Sequence, residues 1–164
     1  MENNQTDKYA GLRLSNQLCF PLYACAKEVV RSYKPFLDEL DLTYTQYIAM
    51  MVFWEEKEIN VKARGERLYL DSGTLTPLLK KLEEKGYIKR ERSKTDERNL
   101  IITLTGEGEM LKERAVAVPG KITGCINISK EDAQILHDIL DKFLRENVHK
   151  DASNGKKDSG KSEK

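Results

Sequence analysis

The sequence predicts a mainly helical α+β protein with one small β-hairpin. Three observations carry that expectation. Apolar residues recur every three or four positions in successive segments. Two short runs, Tyr87 to Arg92 and Leu100 to Leu104, carry β propensity instead. A polar stretch, Ser93 to Asn99, separates those runs and suits a charged hairpin tip. With 164 residues, 39% hydrophobic and 34% charged, the chain suits one soluble domain, alone or with a tail.

The elements follow in order. Leu18, Leu22, Ala26, Val29, Tyr33, Phe36 or Leu37, and Leu40 recur at helical spacing, with charged residues between them. They predict one long amphipathic helix or a broken one. Pro21 suits a first turn or a kink, and Pro35 biases Lys34 away from helical geometry, which places a bend near residues 34–35. Leu42-Thr43-Tyr44-Thr45-Gln46-Tyr47 reads as a helix start. Thr43 can cap, Gln46 can complete a capping box, and Leu42 can staple onto Tyr47. That helix runs to about Glu56, with Met50, Met51 and Trp54 as packing residues. After an Asn60 cap, Val61 to Leu68 is a short helix and Tyr69 to Gly73 a turn. Leu75, Leu78, Leu79 and Leu82 mark a third helix ending at Gly86. Pro77 belongs within its first turn, so the helix should begin near Ser72 to Thr74. Past the hairpin, Thr105 caps a helix reaching roughly Val118, stopped by Pro119-Gly120, and residues 121–128 form a connector. Ser129 and Asp132 open a last amphipathic helix with Leu136, Ile139, Leu140, Phe143 and Leu144. Residues 150–164 are almost all Lys, Ser, Gly and Asp, too polar to order, and predict a disordered tail.

Composition excludes several classes. The longest apolar run, Ile48 to Trp54, is far below the roughly 18–20 residues that span a bilayer. Residues 1–9 are polar and acidic, so no secretory signal or membrane attachment is expected and the protein reads as cytoplasmic. Three cysteines with gaps of 6 and 100 residues form neither a disulfide framework nor a C-x-x-C cluster, so a cysteine that matters here matters as a thiol. His137 and His149 lack partners at ligand spacing, predicting no metal site, and no phosphate loop, paired-carboxylate motif or hydrolase signature suggests turnover or a cofactor. Charge is segregated: residues 1–60 carry 6 basic and 9 acidic side chains (6 − 9 = −3), and residues 61–100 carry 11 and 7 (11 − 7 = +4). A solvated face would account for the basic centre without a partner.

The order helix, short helix, turn, helix, hairpin is that of a winged helix-turn-helix. In that arrangement the later helix enters the major groove of duplex DNA and the hairpin reaches the neighbouring groove or backbone. Lys80 and Lys81, with Lys85, line the helix, and Arg90, Arg92, Lys94 and Arg98 lie in or beside the hairpin tip, where they can neutralise phosphates. Ser72, Thr74 and Thr76, with Pro77, stand at the helix N-terminus; the hydroxyls suit phosphate or base-edge contact, with helix capping as the alternative.

The stretch Leu68-Tyr69-Leu70-Asp71-Ser72-Gly73-Thr74-Leu75-Thr76-Pro77-Leu78-Leu79-Lys80, then Leu82-Glu83, Gly86, and Asp96-Glu97-Arg98 leading to Leu104-Thr105, resembles the MarR family of winged-helix repressors. Asn16-Gln17-Leu18-Cys19-Phe20, Leu22-Tyr23 and Tyr33-Lys34-Pro35 are similar to its organic-hydroperoxide sensors, the OhrR subgroup. The resemblance covers about residues 12–147. It implies that Cys19 is the peroxide-reacting thiol, that Tyr33 and Tyr44 hydrogen-bond it across a dimer interface, and that Asp96 and Arg98 brace the wing. The sequence departs from the subgroup at Pro21, two residues after Cys19, and carries Cys125 where some members have a second, resolving cysteine.

A sensor thiol must be ionised below the ordinary cysteine value of about 8.5, and a helix N-terminus with nearby phenols does this. Tyr23, four residues after Cys19, shares its helical face. Cys25 is six residues away, about 9 Å along a helix and beyond disulfide reach, and reads as small core filler. Oxidised Cys19 would pair with Cys125 or with a low-molecular-weight thiol. The expected protein is a homodimeric repressor that releases operator DNA when an organic hydroperoxide oxidises Cys19. Residues 1–40 and 106–149 would form its dimerisation region, through Leu12, Leu14 and the apolar face of the last helix, and residues 41–105 its DNA-binding domain. A MarR-type regulator answering a small phenolic or drug-like ligand, and a thiol peroxidase, are the alternatives.

Overall fold

The computed structural model describes residues 8–56, 59–60, 67–92 and 100–147. Among them are six α-helices: α1 (Cys19–Asp38), α2 (Tyr44–Glu55), α3 (Ser72–Glu84), α4 (Gly106–Ala115), α5 (Val118–Thr123) and α6 (Lys130–Asn147). Three strands, β1 (Ile59–Asn60), β2 (Ile88–Arg92) and β3 (Leu100–Leu104), form one antiparallel sheet in the order β1-β3-β2. The chain divides into two units, Met1–Ile126 and Asn127–Lys164.

In the first unit, α2 opens as its sequence predicts. Thr43 Oγ1 accepts the Gln46 N–H and Gln46 Oε1 accepts the Thr43 N–H at 3.0 Å, a complete capping box. Leu42 and Tyr47 on either side are both buried in the core. Asp71, not a hydroxyl residue, caps α3 by accepting the Thr74 N–H at 2.9 Å, and Thr105 caps α4 through the Gly108 N–H at 3.0 Å. Pro77 is the sixth residue of α3, past the first turn where its sequence placed it, so the helix gives up the hydrogen bond a donor there would make to the Gly73 carbonyl. Leu75, Leu78, Leu79 and Leu82 of α3 and Tyr47, Ala49, Met50 and Phe53 of α2 meet Ile88, Ile102, Leu111 and Ile122 in a single core.

Four expectations are corrected. First, α1 continues through Pro35 to Asp38 rather than breaking at residues 34–35. Pro35 is exposed and costs α1 one hydrogen bond, that to the Arg31 carbonyl, while Leu37, two residues on, is buried in the core and holds that end of the helix. Second, Pro119-Gly120 opens helix α5 instead of ending the previous one, because a proline in a first turn sacrifices no hydrogen bond; Val118 and Ile122 seat that helix in the core. Third, Cys25 and Met51 are exposed; Leu37 is the one buried residue of α1, Tyr33 and Phe36 pack partly buried against the core, and the first turns, residues 19–28, are exposed. Fourth, the hairpin gains a third strand, β1, which pairs Ile59 with Ile102 and Asn60 with Ile101. Most of the short helix expected at Val61–Leu68, the hairpin tip and the tail beyond residue 147 lie outside the described residues.

Two contacts fix the sheet and the helices around it. Trp54 Nε1 donates to the Gly108 carbonyl at 2.9 Å, and the Thr105 N–H donates to the Tyr87 carbonyl at 3.1 Å. Gly108 has no room for a side chain, since a Cβ there would lie 2.2 Å from the Tyr87 carbonyl oxygen. At the end of α1, Asp41 adopts a left-handed backbone with φ +53°, a conformation that costs a non-glycine residue about 1–2 kcal/mol.

The second unit contains α6. Ser129 Oγ accepts the Asp132 N–H at 3.0 Å and donates to Asp132 Oδ2 at 2.8 Å, the cap its sequence predicts. Ile135, Leu136, Ile139, Leu140 and Phe143 are all exposed and recur at helical spacing, forming one apolar stripe.

Candidate functional site

Cys19 is the first residue of α1 and is exposed. No side chain caps that helix, so the sulfur stands at its N-terminal end. Pro21 is the third residue of the helix, where its missing donor costs nothing. The departure at Pro21 therefore leaves the sensor helix intact. Tyr23 lies one turn on, also exposed, and its i,i+4 spacing puts it on the Cys19 face.

The structure brings Tyr33 and Tyr44 together, with ring centroids 5.0 Å apart in an edge-on arrangement. Tyr47 joins them at 5.9 Å from Tyr33, and Trp54 lies 6.4 Å from Tyr47. Burial, and then proximity to Tyr44, pushes the Tyr33 phenol above its ordinary value; burial followed by Tyr33 and Tyr44 does the same to Tyr47. Both phenols therefore remain protonated hydrogen-bond donors at neutral pH. Cys19 and Tyr33 are fourteen residues apart on one helix, about 21 Å at 1.5 Å per residue. Within one protomer the thiol and this phenol pair occupy opposite ends of α1.

Ser72, Thr74, Thr76 and Pro77 are exposed on the first turns of α3. Thr74 is already engaged: its N–H and hydroxyl both bond Asp71, holding that carboxyl below the usual carboxylate range. The sequence reading passed over Asp71 in favour of the neighbouring hydroxyls; its carboxylate occupies the N-terminal tip of α3. Lys80 lies 3.8 Å from Glu84, while Lys81 is exposed. Arg90 turns inward: its Nε and Nη2 bond Glu83 Oε2 at 2.7 and 2.6 Å, and its N–H donates to Glu83 Oε1. It braces β2 against α3, and the Glu83 carboxyl is lowered chiefly by that guanidinium. Arg92 is exposed at the end of β2. Lys94, Asp96 and Arg98 lie outside the described residues.

Cys125 is exposed just past α5, its N–H bonded to the Ile122 carbonyl at 2.9 Å. Cys19 and Cys25 both belong to α1, and their helical separation of about 9 Å forbids a bridge within the chain. His137 Nδ1 lies 3.5 Å from Asp138 on exposed α6. Among the described residues no group of three His, Cys, Asp or Glu side chains could hold a metal ion, and no helix is long and apolar enough to cross a membrane.

Known proteins are similar to this chain in sequence and fold. The family described as transcriptional regulator SarA/Rot matches residues 31–115. The organic hydroperoxide resistance transcriptional regulator of Bacillus subtilis (strain 168) is 49% identical over 149 residues, spanning 91% of this chain and 98% of that protein. Overoxidised AbfR bound to DNA, a crystal structure, superposes with a TM-score of 0.68 at 37% identity, covering 83% of this chain and 96% of that one. The disulfide form of AbfR gives 0.58 at 37% identity, covering 85% and 95%. The chain therefore belongs to the winged-helix transcriptional regulators of the MarR/SarA type, in the group that contains the organic hydroperoxide resistance regulators.

Proposed function

We propose that this chain is a homodimeric, cytoplasmic repressor that binds operator DNA and lets go when an organic hydroperoxide oxidises Cys19. The observation that carries the reading is the placement of Cys19: an exposed thiol at an uncapped helix N-terminus, on a helix whose Leu18, Phe20, Leu22 and Tyr23 are also exposed. Such an uncovered apolar face suits a second copy of the chain. An antiparallel partner helix would bring the partner subunit's Tyr33 and Tyr44 to the sulfur, resolving the separation of about 21 Å within one protomer. The apolar stripe of α6 supplies a further self-complementary surface. Residues 1–40 and 106–149 form the dimerisation region in this reading and residues 41–105 the DNA head.

The Cys19 thiolate attacks the peroxide O–O bond. An S–O bond forms, the O–O bond breaks, and the alkoxide leaves and takes a proton to become an alcohol. The sulfenic acid then condenses with a second thiol, releasing water and forming a disulfide. Cys125 or a small thiol serves as that partner. Operator contact falls to Ser72, Thr76, Pro77, Lys80, Lys81 and Arg92, with Lys94 and Arg98 on the wing; Thr74 and Arg90 shape the surface through Asp71 and Glu83.

The test is fluorescence anisotropy on a labelled duplex that the wild-type protein has enriched from a random-sequence pool. Cumene hydroperoxide should release wild-type protein and leave Cys19→Ser bound. Equal release of both overturns the reading, as does release by a phenolic ligand under reducing conditions with indifference to peroxide. Peroxide consumption beyond stoichiometry would instead indicate a peroxidase.

A further inference from the structure

The helices α1 and α3 end in the same way. Each closes on a residue of positive φ, Asp41 at +53° and Gly86 at +76°, with the paired bonds of a Schellman turn. Leu42 N–H donates to the Leu37 carbonyl at 3.0 Å and Asp41 N–H to that of Asp38 at 3.1 Å. Tyr87 N–H donates to Leu82 at 3.1 Å and Gly86 N–H to Glu83 at 2.9 Å. Glycine fills that place in α3 without steric penalty, whereas α1 places there an aspartate, which resists the conformation. An acidic side chain held against its backbone preference points to a contribution glycine could not make.

The contribution is to Lys85, the residue preceding Gly86. Its ammonium lies 2.7 Å from Asp41 Oδ2 and also donates to the Asp41 carbonyl. One cation thus joins the two terminal turns, satisfying a carbonyl at the negative end of α1 as well as a carboxylate. A groove of about 340 Å³, lined by Thr43, Gln46 and Lys81 among others, runs beside this bond, while Leu37, Leu40 and Leu42 pack beneath it in the core. Two other cations reach this corner, Arg114 to the Glu39 carbonyl at 2.6 Å and Lys121 to the Glu39 carboxylate at 3.5 Å, but they come from α4 and α5. Among the described residues, Lys85 is the cation that ties α3 to this corner.

We propose that Lys85 is a positioning residue, latched to Asp41, which sets the recognition helix α3 against the end of α1, and that it is not a phosphate ligand. The proposal rests on the DNA-binding reading above. It is tested with Asp41→Gly, Lys85→Met, the double variant and Lys85→Arg, measuring anisotropy on the duplex enriched by the wild type, over a range of salt. Each single variant weakens binding about five- to tenfold, the scale of a coupling contact remote from the ligand. The double variant is no weaker than the singles, the salt slope is unchanged, and Lys85→Arg restores affinity. Asp41→Gly melts no lower than wild type, because glycine relieves the left-handed backbone.

A salt slope lowered by about one in Lys85→Met, with Asp41→Gly at wild-type affinity, makes Lys85 a phosphate ligand and overturns the proposal. Wild-type affinity in both single variants overturns it too and leaves operator binding standing. A wild-type protein that enriches no duplex overturns the DNA-binding reading, and the latch with it.

Discussion

Gly108→Ala is expected to destabilise the protein, although the same change in an open helix stabilises by about 1 kcal/mol. The added Cβ would lie 2.2 Å from the Tyr87 carbonyl oxygen, 3.1 Å from its carbon and 3.0 Å from Leu104 Cδ2. A carbon–oxygen contact relaxes at about 3.3 Å, so α4 and the chain entering β2 must separate by about 1 Å. That separation stretches Thr105 N–H to Tyr87, now 3.1 Å, and Trp54 Nε1 to Gly108, now 2.9 Å. Two hydrogen bonds at about 1 kcal/mol each, with overpacking strain of about 1–3 kcal/mol and the helix gain of about 1 kcal/mol subtracted, leave a net loss of about 2–4 kcal/mol. At about 2–4 °C per kcal/mol for a chain of this size, Tm falls by about 4–16 °C. The single tryptophan, Trp54, sits on one of the stretched bonds, so its fluorescence reports the melt directly. Gly106→Ala, whose Cβ meets nothing within 4 Å, is the control and should melt at or above wild type. A Gly108→Ala protein as stable as that control would refute the close-approach argument.

Thr43→Ala removes the side-chain half of the α2 capping box and should cost about 1 kcal/mol in urea denaturation, with Thr43→Ser retaining most of it. The Tyr33 phenol is raised from its ordinary value of 10.0 by burial and by Tyr44, so its contribution to stability is complete below pH 10.0 and is lost as pH rises through the higher folded-state value. Urea midpoints measured on either side of pH 10 should therefore fall less steeply in Tyr33→Phe than in wild type; parallel profiles would contradict the burial of that hydroxyl.

Signals confined to a few consecutive residues were legible. Thr43 with Gln46, Thr105, Ser129 with Asp132, and Gly86 mark helix ends because capping is a contest settled within one turn. The apolar spacing of Leu75, Leu78, Leu79 and Leu82 likewise places α3 and its buried face correctly. What escaped depends on partners distant in sequence. Strand β1 has two residues, too few to alternate, and exists through its pairing with β3. Pro119 is chemically the same whether it ends one helix or begins another, and burial of Val118 and Ile122 decides. Arg90 and Lys85 count as basic residues in any sequence reading, yet Glu83 and Asp41 engage them. For Cys25, helical periodicity specifies a face but not what covers it. The first turns of α1, residues 19–28, leave that face exposed in the protomer.

The length of α1 explains how a change of a few atoms at Cys19 could reach DNA under the proposed function. Twenty residues make a rod of about 30 Å, so a tilt of about 5° at the sensor end moves the other end by about 2.5 Å. Base-edge hydrogen bonds tolerate only a few tenths of an ångström before weakening. Oxidation therefore need not unfold anything; it need only reseat the Cys19 end of the helix against its partner. For the movement to arrive undiminished, the far end must be stiffly joined to the DNA head, and there Leu37 is buried while Arg114, Lys121 and Lys85 all bind residues 39–41. A rod free at the reacting end and held at the other is a lever, whereas a rod buried along its whole length would dissipate the same strain into its packing.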